Sequence, residues 1–155
     1  MTIQGRISTV INRPIQEVWS YLDNEANDPV WRRPYAKQVT RVGTGPSKQG
    51  TRFQGILRNG PYLSDVTHYE PPVCMSWKFV SYPAGPLKER EGTYLLSPEG
   101  QGTRMTLKVT ADTFGLLGIV MSFPMSILLR TILGPQLLKQ LKQGVEGQAT
   151  ASSST

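Results

Sequence analysis

An α+β domain, in which an antiparallel sheet is covered by a C-terminal helix, is the fold class this sequence predicts, and three observations predict it. Short runs from Tyr35 to Thr113 are divided by turn chemistry at even intervals. The opening of the chain switches from a period of two to a helical period. The closing segment carries a broad apolar stripe at helical spacing and needs a surface to cover. A chain of 155 residues with 38% hydrophobic and 18% charged residues suits one such domain. Residues 1–147 are expected to form it, and the polar "QATASSST" at 148–155 reads as a disordered tail.

The first element is "IQGRISTVI", where Ile3, Ile7 and Ile11 fall in phase on one face of a strand. In "NRPIQEVWSYL", Asn12 is a suitable cap and Pro14 suits a first turn. Ile15, Val18, Trp19 and Leu22 then stand at i, i+3, i+4 and i+7, as in a short amphipathic helix. Asp28–Pro29 offers a second cap and proline, so a further short helix or turn should end near Trp31.

Turn signals at "GTGPSKQG", "RNGP", "EPP", "YPAGP" and "SPEGQG" then bound strands near 36–43, 50–58, 62–70, 73–82, 88–97 and 102–113. Short connections of this kind join antiparallel neighbours. Met75, Trp77 and Phe79 share one strand face, as do Met105, Leu107 and Val109, so one side of the sheet is apolar and aromatic. The last segment is helical in composition and interrupted by Pro124 and by Gly134–Pro135.

Composition also narrows function. One cysteine, Cys74, excludes a disulfide framework and reads as a buried reduced thiol, and no His or Cys spacing suits a metal. The net charge of +6 is spread along the chain, with Arg32–Arg33 the one close pair, and no nucleic-acid-binding signature accompanies it. A solvated basic surface is the expected meaning. "MTIQGRISTVINRP" has no basic and apolar leader pattern, so a cytoplasmic protein is expected. Residues 115–134 are long enough to span a bilayer, but Arg130, Pro124 and interspersed Ser and Thr argue for a covering helix over a span, leaving peripheral membrane contact as the alternative. No phosphate loop or nucleophile elbow is present, and one histidine serves no triad, so neither cofactor nor metal is expected.

"VINRPIQEVWSYLDN", "VTHYEPP", "GTYLLSPEGQGTRMTL" and "GLLGIV" with "LLKQLKQGVEG" together resemble the SRPBCC superfamily, which includes START lipid-transfer domains and polyketide cyclase/dehydrase proteins. The resemblance covers nearly the whole chain. It implies the helix-grip fold: a seven-stranded curved antiparallel sheet wrapped around a long C-terminal helix, with two short helices between strands 1 and 2. A bent sheet and a straight helix leave a hollow between them. Phe53, Leu57, Met75, Trp77, Phe79, Met105, Leu107, Met121 and Met125 are its expected lining.

Alternation alone leaves the strand "YLSDVTHYE" undecided, because Leu63, Asp65, Thr67 and Tyr69 make one face and Tyr62, Ser64, Val66 and His68 the other. Comparison with aromatase/cyclase members turns Asp65, Thr67 and Tyr69 inward and His68 to solvent. It likewise places Trp31 and Tyr35 in the cavity and turns Arg90, Gly92, Tyr94 and Leu96 inward. Where those members carry arginine, this chain has Tyr69 and Phe79.

The implied activity is binding of a hydrophobic, ring-containing or polyketide-like molecule, with cyclisation or dehydration by cofactor-free acid/base chemistry. Asp65 is the expected proton-transfer group, its pKa raised by an apolar surround, with Tyr35, Tyr69 and Arg90 as donors to an enolate. The alternatives are a non-catalytic carrier or sensor of lipids or apolar metabolites, and a peripheral membrane protein.

Overall fold

A computed structural model describes residues 2–85, 87–113, 116, 120, 131 and 134–153. Strand β1 (Thr2–Ile11) leads into helix α1 (Ile15–Leu22), a 3-10 turn at Glu25–Asn27 and helix α2 (Asp28–Trp31). Strands β2 (Ala36–Val42), β3 (Arg52–Leu57), β4 (Gly60–Glu70), β5 (Cys74–Ser81), β6 (Leu87–Glu99) and β7 (Gly102–Thr113) follow, and helix α3 (Gly134–Ser153) ends the order. The strands form one curved antiparallel sheet of seven in the order β1-β7-β6-β5-β4-β3-β2, so the chain meanders and β1 pairs with the last strand.

Local chemistry explains the boundaries. Pro14 closes the approach to α1 with an extended backbone, and Val18, Trp19, Tyr21 and Leu22 form its buried face. The Asn12 side chain does not cap this helix; its backbone N–H donates to Glu146 Oε1 at 3.1 Å, tying the start of α1 to α3. Asp28 is not a cap either. Asn27 precedes α2, Asp28 opens its first turn, and Pro29 stands where its missing N–H costs nothing.

Helix α3 begins at Gly134–Pro135, where the interruption was expected, and runs through residues 148–153, the stretch that composition assigns to a tail. Leu138, Leu141 and Val145, at i, i+3 and i+7, are buried. They face β1, α1 and α2, against which the helix packs. Burying each of these side chains contributes about 1.5–3 kcal/mol. The Gln140 amide, oriented by its neighbours, donates to the carbonyls of Trp31 and Arg33 at 2.8 and 3.0 Å. That pair of bonds holds the end of α2 beneath α3.

Two irregularities set which side chains face inward. In β4 the register shifts between Val66 and His68, so Tyr62, Ser64 and Val66 are buried while Thr67 and His68 both point outward. In β6 it shifts between Glu89 and Glu91, leaving Arg90 as the extra residue. A bulge reverses the phase of a strand on its two sides. Glu89 consequently shares the inner face with Tyr94 and Leu96, whereas Arg90 points out and pairs with Asp112 at 3.2 Å.

Among the described residues, no helix is long and apolar enough to cross a membrane.

Candidate functional site

A hollow of about 160 Å³ lies between the sheet and α3, bounded by Ile3, Gly5 and Ile7 of β1, Leu107 and Val109 of β7, Trp77 of β5, and Gly134 and Leu137 of α3. A smaller one of about 40 Å³ lies toward β3 and β4, against Phe53, Tyr62, Ser64, Met75 and Phe79. Arg32, Trp77 and Tyr94 stand on the walls of both.

These three form the partition. The ring of Tyr94 lies 4.6 Å from that of Trp77 and 5.9 Å from that of Trp31. Arg32, the residue after α2, carries its guanidinium carbon 5.9 Å from the ring centres of both tryptophans. Such contacts favour a cation where water is sparse. On the same short helix, Asp28 lies one turn earlier, with Oδ2 3.9 Å from Arg32 Nη1, and accepts a hydrogen bond on Oδ1 from Trp31 Nε1 at 3.3 Å. Spacing of i, i+4 brings the two charges to one face.

Burial governs the proton affinities here. Asp28 is pushed up to about 6 by burial, with Arg32 and the Trp31 hydrogen bond pulling the other way and Glu25 adding to the rise. Burial also raises Glu89, against the pull of Arg32. For Arg32, burial opposes the charge, and the acidic groups around it, Asp28 and Glu89, offset that cost. Burial lifts the Tyr62 and Tyr82 hydroxyls to about 12 and Tyr94 further still, so these phenols stay protonated donors. The arrangement offers two proton-exchanging carboxylates and a fixed cation beside an aromatic wall.

The expected site residues divide between these places. Trp31, Tyr35, Leu57, Trp77, Tyr94 and Leu107 line the larger hollow, and Phe53, Met75 and Phe79 the smaller. Gly92 faces inward under the Trp77 ring. Leu96 and Met105 are opposed across β6 and β7 and fully buried, but they lie in the packed core, where α1 fills the space against these strands. Tyr69 packs its edge on Trp19 and donates to Asp23 Oδ2 at 2.9 Å, lining neither hollow. Met121 and Met125 lie outside the described residues.

Besides Tyr69, four expectations require correction, those for Asp65, Thr67, Arg90 and Cys74. Asp65 does not project into a cavity. It belongs to the outer face of β4, opposite Arg52 on β3, which donates to both its oxygens from Nε at 2.7 Å and Nη2 at 2.9 Å. Those hydrogen bonds hold its carboxyl below the usual range, the reverse of the expected shift. Thr67 is exposed because it is the bulge residue of β4, and Arg90 is exposed because it is the bulge residue of β6. Cys74 is half-buried.

Sequence reasoning missed Asp28, Arg32 and Glu89. Asp28 read as a cap, and Arg32 as half of a solvated basic pair; only Arg33 is exposed. A signal existed for two of them, since Asp28 and Arg32 share a helical face beside Trp31 and Tyr35, both expected inward. No local signal marks Glu89. Among the described residues, no three His, Cys, Asp or Glu side chains converge as metal ligands.

Comparison with known proteins supports the architecture. Residues 2–146 match the family described as polyketide cyclase / dehydrase and lipid transport. No curated protein matches the chain. Among solved structures, TTHA0849 from Thermus thermophilus superposes with a TM-score of 0.73 at 18% identity, over 94% of this chain and 99% of that one. The di-domain ARO/CYC StfQ from the steffimycin biosynthetic pathway gives 0.71 at 16% identity, over 97% of this chain and 52% of that one. Truncated norcoclaurine synthase from Thalictrum flavum gives 0.67 at 10% identity, over 94% of each chain. At these identities the likeness is one of fold.

Proposed function

Because the chain belongs to the polyketide cyclase / dehydrase and lipid transport family, we propose that it takes up an apolar, ring-containing molecule in the hollow beneath α3 and exchanges a proton with it through Glu89. One observation carries this reading: Glu89, Arg32 and Tyr94, a carboxylate, a guanidinium and a phenol, meet on the wall of an otherwise largely apolar hollow. The aromatic and aliphatic wall removes a ring system from water, worth about 25 cal/mol per Å² of apolar surface covered.

Burial raises the proton affinity of Glu89 above that of an ordinary carboxylate, against the pull of Arg32, which strengthens it as a base. The ionised carboxylate accepts a proton from carbon adjacent to a ligand carbonyl. The C–H bond breaks, an O–H bond forms on Glu89, and the electron pair passes to the carbonyl oxygen. Arg32 and Tyr94 supply N–H and O–H donors to that oxygen. The enolate carbon then attacks a second carbonyl of the ligand, forming the ring C–C bond, and the alkoxide left on that oxygen takes the proton back from Glu89. A second α-proton passes to Glu89, and the new enolate expels the β-hydroxyl, which takes that proton and departs as water, restoring the carboxylate.

The test is exchange of the α-protons of 2-tetralone in D2O, with binding measured separately by calorimetry. The wild type should accelerate exchange, and Glu89→Gln should lose on the order of 10²-fold or more of that acceleration while still binding. Acceleration undiminished in Glu89→Gln removes this residue from the chemistry. A carrier that performs no reaction is the second reading, favoured by the predominance of apolar side chains on the wall. Binding without exchange in the wild type would establish it.

A further inference from the structure

The two hollows differ in charge. Arg6, Arg32 and Arg58 line the larger against one carboxylate, Glu89, whereas Asp23, Glu25 and Asp28 line the smaller against Arg32 alone. Arg6 and Arg58 are exposed and make no ion pair among the described residues. They bias the potential of the larger hollow toward anions.

Arg32 is the buried member of the three, its side chain 16% exposed. A guanidinium carries five N–H donors in a planar fork. Among the described residues none of them donates a hydrogen bond; the carboxylate partner, Asp28, lies at 3.9 Å, an electrostatic neighbour beyond hydrogen-bond reach. The head is nonetheless held in place. Trp31 and Trp77 flank it at 5.9 Å, and Gln140 fixes the backbone on either side through the carbonyls of Trp31 and Arg33. A fixed cation whose donors bond no protein group among the described residues, facing a hollow, is built to receive an acceptor with two oxygens.

We infer that the ligand of the larger hollow carries a carboxylate, and that Arg32 receives it while the apolar body lies along Trp31, Trp77 and Leu107. This rests on the proposed uptake of an apolar molecule and adds the chemical class of its polar end. Glu89 is the one carboxylate on this wall, set against Arg6, Arg32 and Arg58. Asp28 stands on the opposite side of Arg32, in the smaller hollow, where it offsets the buried cation without competing for the space.

Calorimetric titration of the full chain at pH 7 with 2-naphthoate and with 2-naphthylmethanol tests the inference, since the two share a ring system and differ in charge. The naphthoate should bind at least about tenfold tighter, the range of one charge-assisted hydrogen-bonded contact. Arg32→Met should abolish that preference and leave the alcohol within about threefold. If Arg32→Met does not fold, Arg32→Lys is measured instead. It keeps the charge but loses the planar fork, and should forfeit most of the preference. Equal affinity of the two compounds in the wild type overturns the carboxylate while leaving the apolar hollow standing. Failure of both to bind overturns the uptake reading and this one with it. A preference that survives undiminished in the Arg32 variant assigns the carboxylate to another cation and refutes the role of Arg32 as its receptor.

Discussion

Trp77 occupies the space that a side chain at position 92 would need. The two residues face each other across β5 and β6, and a Cβ on Gly92 would fall 2.2 Å from Trp77 Cζ2. The indole is pressed against the sheet in this way and still reaches both hollows. Gly92→Ala is expected to push the ring off the sheet and into the space beside Tyr94. Overpacking of this kind costs about 1–3 kcal/mol. Urea unfolding should show the loss, and calorimetry should show 2-naphthylmethanol binding abolished. Unchanged binding would mean that the ligand does not use this wall.

Gly5 provides the opposite case. It lines the larger hollow in phase with Ile3 and Ile7, and among the described residues a Cβ there would meet nothing within 4 Å. Gly5→Leu should fill the hollow without strain, holding stability or raising it by about 0.5–1 kcal/mol through the loss of a flexible strand glycine. Binding of 2-naphthylmethanol should weaken at least about tenfold. A variant that binds like the wild type would place the ligand elsewhere.

Asp28 holds its proton more tightly folded than unfolded, being pushed from 3.8 up to about 6. The folded chain therefore binds more protons between those values. Its contribution to stability is complete below the unfolded value and is lost as pH rises through about 6. The loss amounts to at most about 3 kcal/mol. Asp28→Asn should flatten the fall in stability between about pH 4 and 6.5, measured by urea unfolding at a series of pH values. Parallel profiles for the two proteins would refute the shift.

Asp65 and Arg52 form a cross-strand pair on the outer face, with side chains 32% and 46% exposed. Such pairs contribute about 0–1 kcal/mol. Asp65→Asn should stay within that range and leave 2-naphthoate affinity and 2-tetralone exchange as in the wild type. A loss of exchange would return Asp65 to the chemistry.

The order of elements was legible because each is announced by its neighbours in the chain. Alternation in "IQGRISTVI" predicts β1, and helical spacing from Ile15 to Leu22 predicts α1. The aromatic inner wall was legible too, in the phase of Met75, Trp77 and Phe79. A period of two assigns side chains to two faces, and repetition across strands makes one face apolar.

What failed was phase carried along one strand. A uniform alternation assigns Thr67 and Tyr69 to one face, and Arg90 and Tyr94 to another. One inserted residue in each strand separates the members of both pairs, turning Thr67 and Arg90 outward.

By itself, then, the sequence determined seven strands, their antiparallel meander, the short helices after the first strand and an apolar wall beneath a terminal helix. All of these follow from periodicity and turn chemistry within a few residues. The tertiary structure alone decided that Arg32 faces inward, that Glu89 replaces Arg90 on the wall, and that Asp28 and Glu89, rather than Asp65, are the carboxylates raised by burial. Desolvation and bulge register arise only when distant strands and α3 close over a residue. Around Glu89 neither leaves a mark on the sequence, and around Asp28 and Arg32 the one trace is their shared helical face beside Trp31.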